Sequence, residues 1–191
     1  MAPDAFGSAG TVSAYYTGHR SAAMIQSVFV HGLAGIALLV FTAALWSYLA
    51  AARQALPRRL VLLSGVLAAA ISFLQVAFMI GINVQAGRPG SADTIKALFD
   101  AINTADTVKL IVLAVFVGAA SYAGARLGRL PRWVAWEGAV TVICLVVSGL
   151  AFQVSSGALN LVLDISLPLL LLWAAAASIS MLRRTARART T

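Results

Sequence analysis

AAMIQSVFVHGLAGIALLVFTAALWSYLA, residues 22–50, contains no lysine, arginine, aspartate or glutamate, and His31 is its only histidine. A helix rising 1.5 Å per residue crosses a hydrocarbon core of about 30 Å in roughly 20 residues, so this stretch is long enough to span a bilayer. Four more apolar stretches follow, near 59–86, 105–126, 133–154 and 158–182. Lipid offers no hydrogen-bond partner to a backbone, so each is expected as an α-helix that satisfies its own amides. The resulting reading is an all-α integral membrane protein, a five-transmembrane-helix bundle over residues 22–182.

Composition agrees. The chain has 191 residues, 61% hydrophobic and 10% charged, with a mean hydropathy of +0.91; an ordinary soluble domain has roughly 25% charged residues. This length holds one domain, which leaves no room for a separate soluble enzyme beside the membrane part. The single cysteine, Cys144, excludes an intramolecular disulfide, a CxxC redox pair and a cysteine-based metal site. Two histidines, His19 and His31, give little to metal chemistry, and a b-type haem would need two within the spans. No metal site and no cofactor are therefore expected.

The net charge of +8 is a topology signal, because the arginines flank apolar segments and form no nucleic-acid surface. Arg53, Arg58 and Arg59 lie between the first two spans, Arg126, Arg129 and Arg132 between the third and fourth, and Arg183, Arg184, Arg187 and Arg189 in the tail. The opposite side holds only Arg20, Arg88, Lys96 and Lys109, diluted by Asp4, Asp93, Asp100 and Asp106. By the positive-inside rule the N-terminus is outside and the C-terminus cytoplasmic. Residues 1–21 are then an extracytoplasmic N-terminal segment without signal-peptide features, the first span is the targeting element, and 183–191 form a basic cytoplasmic tail placed to meet anionic lipids. In the outer loop, 87–104, Ile95, Leu98, Phe99 and Ile102 recur at i, i+3, i+4 and i+7. That spacing predicts a short amphipathic helix, either resting on lipid or capping the bundle.

Polar residues inside the spans recur on helical periods: Ser27, His31 and Gly35 in the first; Ser72, Gln75, Met79 and Asn83 in the second; Glu137, Thr141, Cys144, Ser148 and Ser155 in the fourth; Asn160, Asp164 and Pro168 in the fifth. Such stripes face other helices or water, either as interhelical hydrogen bonding or as a site. Their depth favours a site. His31 falls about 13 Å and Asp164 about 9 Å from the outer ends of their helices, and Gln75, Met79, Asn83, Ser148, Gln153 and Lys109 fall in the same outer half. A carboxylate at that depth is expected to be protonated or paired, with His31 and Lys109 as the available cations. Glu137, near the arginine side, is expected in an interfacial ion pair.

Tyr15-Tyr16-x-x-His19-Arg20 ahead of the first span, the alanine-rich apolar composition, and Leu130-Pro131-Arg132-Trp133 opening the fourth span carry a resemblance. On these residues the chain resembles small multi-pass integral membrane proteins of actinobacteria, in families without an assigned activity. The resemblance implies a fold type and an origin, and no chemistry.

The expected function is binding or passing a small amphiphilic or lipophilic molecule in an outward-facing polar pocket of a plasma-membrane protein. Gln75, Met79, Asn83, Lys109, Ser148 and Asn160 would bind it. One alternative is a membrane-embedded enzyme, a cyclase or isomerase, with Asp164 as proton donor and His31 as its partner. Another is an accessory subunit whose polar stripes are packing contacts. A homo-oligomer or a membrane partner subunit is compatible with each, and nucleic acid with none.

Overall fold

The computed structural model describes residues 7–50, 55–151 and 157–188. Among these the chain is all-helical: α1 (Ala9–Gly18), α2 (Arg20–Ser27), a π-helical segment (Val28–Leu33), α3 (Ala34–Tyr48), α4 (Ala55–Gln85), α5 (Ala92–Arg126), α6 (Arg132–Ala151) and α7 (Gly157–Ala188). Five stretches are long and apolar enough to cross a membrane: Arg20–Tyr48, Leu56–Gln85, Ala92–Arg126, Arg132–Leu150 and Asp164–Arg184. The first joins α2, the π-helical segment and α3 end to end.

Local chemistry sets the ends. Ser8 caps α1 by accepting from the Thr11 amide. At the end of α5 Gly128 takes φ +58°, and the amides of Arg129 and Leu130 both return to the Gly124 carbonyl, a left-handed cap that glycine adopts without strain. Pro131 then precedes α6, where it interrupts no helical hydrogen bond.

Helix α5 is the central element. It packs against α4 and α6, while α3 packs on α4 and α7 on α6. The inner core closes on Phe41, Phe116 and Trp173, from α3, α5 and α7, whose ring centroids lie 6.0 Å apart in edge-on pairs. Trp173 Nε1 donates to Ser121 Oγ at 3.0 Å. Gly138 of α6 lies against both, and a Cβ there would overlap the Ser121 hydroxyl. Without a hydrophobic force between helices in lipid, such close approach at small residues is what lets dispersion hold them.

The two ends of the bundle differ. At one, Arg58 stacks on Trp46 and donates to its carbonyl, Arg129 lies over Tyr48, Tyr48 Oη donates to the Arg129 carbonyl, and Arg184 donates to the Gly128 carbonyl. The described arginines of both links and of α7 thus share one end. Helix α7 carries Arg183 and Arg184 within it, so the basic tail expected from residue 183 begins as helix, through Ala188.

At the other end α1 folds down onto α5 and α4. Val12 and Tyr16 are buried there with Met79, Ile82, Ile95 and Phe99, a second apolar cluster separate from the inner core. Burial and the neighbouring Tyr15 push the Tyr16 phenol up to about 12, so it stays neutral across the physiological range. The expected short helix in 87–104 is instead the opening of α5. Neither glycine nor proline occurs between Ala92 and Val117, so nothing breaks the helix where the loop was expected to end. At 35 residues α5 is about 52 Å long, more than a bilayer core needs. The surplus turns bury Ile95, Phe99 and Ile102 against the protein rather than lipid.

Candidate intramembrane site

Between the two apolar clusters lies a polar layer built by three elements at one level. Lys109 of α5 lies 17 residues from Arg126, His31 of the π-helical segment 17 from Tyr48, and Gln75 of α4 16 from Arg59. All three are therefore about 24–26 Å from the arginine end. Opposed helices must bring them together, and they do. Lys109 Nζ is 2.7 Å from Asp106 Oδ1, donates to Gln75 Oε1 at 2.7 Å, and lies 3.4 Å from His31 Nδ1.

An ammonium has three donors and no acceptor. Here three acceptors meet it, from a carboxylate one turn earlier on the same helix, an amide on α4 and a ring nitrogen on the first span. The side chains of Lys109 and Asp106 are 14% and 22% exposed, so their attraction acts in a medium much poorer than water. Gln75 is completely buried, and its Nε2 donates to the Ile102 carbonyl at 3.3 Å, which fixes its oxygen toward the lysine. Because the ammonium can only donate, His31 Nδ1 must accept, and the ring proton of the neutral imidazole resides on Nε2. Among the described residues Nε2 has no hydrogen-bond partner, and His31 is half-buried.

The segment carrying His31 is itself unusual. Val28–Leu33 is wound as a π-helix, a geometry that widens one turn and concentrates at functional sites. None of its residues is buried. Ser27, immediately before it, is buried, and its hydroxyl finds no partner among the described residues; the same holds for Asn103 Nδ2 on α5 and the Ser148 hydroxyl on α6. Buried polar atoms without partners are few in native proteins and mark places where something else satisfies them.

The sequence-derived candidates divide. The structure brings His31, Gln75 and Lys109 together and adds Asp106, which sequence reasoning counted only as an acid diluting the outer charge. Its i, i+3 spacing from Lys109 was the available signal. Met79 is packed into the outer apolar cluster. Asn83 sits two turns further out, exchanging hydrogen bonds with Arg20: Arg20 Nε donates to its Oδ1 at 3.1 Å and its Nδ2 returns to the Arg20 carbonyl at 3.2 Å. Beside them an open groove of about 560 Å³, lined by Arg20, Ser21, Met24, Ile25 and Asn83, occupies the N-terminal end of α2. Ser148 is buried in α6, whose Gly149 lies against the Thr107 carbonyl of α5. Asp164 is exposed on α7 and makes no ion pair among the described residues. Pro168, four residues on, has no amide to offer the Asp164 carbonyl. The side chains of Gln153, Ser155 and Asn160 lie outside the described residues.

The ion pair expected for Glu137 is not formed with any described arginine. Glu137 Oε1 accepts from Thr141 Oγ1 at 3.0 Å and Oε2 is buried without a partner, while Arg126 is turned over Tyr122. Arg126 and Arg129 lie over the faces of Tyr122 and Tyr48 instead.

Compared with protein-family models, curated proteins and solved structures, the chain matches none. The site is therefore read from its own chemistry.

If the layer is held by the Lys109–Asp106 pair, Lys109→Met strands the carboxylate and should cost about 3 kcal/mol of stability in detergent. Adding Asp106→Asn should cost less than the two single changes together by about 1–2 kcal/mol. Thermal or denaturant unfolding of the four proteins measures this coupling, and additive losses would show that the two residues act independently.

Proposed function

We propose that the protein is a multi-pass plasma-membrane protein that binds or passes a small amphiphilic or lipophilic molecule at the layer formed by His31, Gln75, Asp106 and Lys109. The observation that carries this reading is an ion pair inside an apolar bundle, with its ammonium matched by acceptors and the His31 Nε2 donor without a partner among the described residues, beside an exposed apolar segment. Packing alone gives such interhelical contacts about 0.6 kcal/mol each, a small return for bringing charge into hydrocarbon. A polar head received at the layer, with an apolar body in the bilayer, accounts for both the charge and the open donor. The acid–base alternative, with Asp164 as donor and His31 as its partner, is carried by no contact between them among the described residues. The accessory-subunit alternative draws on exposed apolar side chains of α7, including Leu171 and Leu172, which bilayer lipid covers equally well.

We place the arginine end in the cytoplasm by the positive-inside rule, which puts α1 and the polar layer toward the outside and lets the basic tail meet anionic lipid headgroups. A reporter active only in the cytoplasm should work when fused after Arg189 or near Arg58, and fail when fused within 88–100. Activity at Gly90 would reverse the orientation.

For the ligand itself, native mass spectrometry of the protein released gently from its own membrane should show a retained small molecule, lost from His31→Phe. A bare chain mass for the wild-type protein under those conditions would contradict the binding role.

A further inference from the structure

We propose that the molecule taken at the polar layer is a neutral amphiphile whose head presents an acceptor oxygen, of ketone or ester type, to His31 Nε2–H, and that it enters sideways from the bilayer along the π-helical segment. This rests on the binding role proposed above and specifies its chemistry.

The charge balance at the layer points to a neutral head. Lys109 and Asp106 cancel at 2.7 Å, Gln75 is uncharged, and a histidine that accepts from an ammonium is uncharged as well. A carboxylate or phosphate arriving there would be an excess charge in a low-dielectric environment with no cation left to meet it, because every donor of Lys109 is already used. Within the His31–Gln75–Asp106–Lys109 layer the group left to meet a ligand, among the described residues, is the His31 N–H, which selects an acceptor. Gln75 and Lys109 are then positioning residues: the first, anchored on the Ile102 carbonyl, holds the second, and the second fixes the tautomer of His31.

Access follows from what surrounds the ring. Toward the outer end the cluster containing Val12, Tyr16, Met79 and Phe99 covers the bundle, and toward the arginine end Phe41, Phe116 and Trp173 close it. To the side, Val28, Phe29, Val30 and Leu33 around His31 are 47%, 62%, 55% and 53% exposed. An apolar tail can lie along these side chains without leaving the hydrocarbon while its head reaches the ring. The widened turn of the π-helix presents the histidine between them.

Three probes with matched chains separate the possibilities: methyl laurate, neutral with an ester acceptor; laurate, an anion; and dodecane, with no acceptor. The full chain in nanodiscs should bind methyl laurate saturably, and laurate and dodecane at least about tenfold more weakly. His31→Phe, which keeps the ring and removes the N–H, should weaken methyl laurate about tenfold. Infrared spectra of the wild-type complex should show the ester carbonyl stretch lowered by hydrogen bonding, a readout that does not depend on the variant folding. Laurate or dodecane binding as tightly as methyl laurate, or an unshifted carbonyl, would overturn the neutral-acceptor assignment while leaving the binding role standing. Saturable binding of none of the three would remove the binding role itself.

Discussion

One ammonium group organises this bundle. In water Lys109 would need no protein partner, but in an apolar bundle each of its three donors requires an acceptor. The acceptors come from α5 itself, from α4 and from the first span, so satisfying this one group fixes the level at which three elements meet. The completely buried Gln75, held on the Ile102 carbonyl, leaves the layer little freedom to slide. Above and below it the bundle is held by ordinary apolar packing, with Trp173 on Ser121 and Gly138 at the inner end and Tyr16 on Phe99 at the outer.

That arrangement links the structure to the proposed binding role through a tautomer. A lysine that donates to Nδ1 leaves the imidazole with a donor on Nε2, and the π-helical segment sets that donor beside lipid-exposed side chains. The other histidine behaves oppositely: His19 Nδ1 lies 3.0 Å from the Tyr15 carbonyl, which can only accept, so His19 carries its proton on Nδ1. Two residues of one type are thus set to different tasks by the polarity of a single neighbour.

Much of the fold was legible before any coordinates, because lipid leaves the backbone so few choices. The length of uncharged sequence around His31 required a helix, and the arginine pairs and triplets marked one end of the bundle. Three of the residues grouped by depth, His31, Gln75 and Lys109, meet in the structure. What was not legible depends on contacts between helices or on small departures from regular winding. The π-helical turn leaves no mark in a pattern read at 3.6 residues per turn. The merger of 92–104 with the third span was hidden by ending the outer loop at residue 104, although no glycine or proline there stops a helix. Asp106 was passed over because its charge was counted only toward the balance between the two sides. Asp164 attracted attention by its depth alone, and depth does not decide which helix face a residue occupies.

The central claim is that Lys109 donates to His31 and thereby fixes its ring. Solid-state NMR of the protein in lipid bilayers, with nitrogen-labelled histidine and lysine at mildly alkaline pH, tests it directly, since His19 and His31 are the only two histidines. The account predicts two different neutral tautomers, His19 protonated at Nδ1 and His31 protonated at Nε2, with a through-space correlation between His31 Nδ1 and Lys109 Nζ. A His31 protonated at Nδ1, or one without a correlation to Lys109, would contradict it.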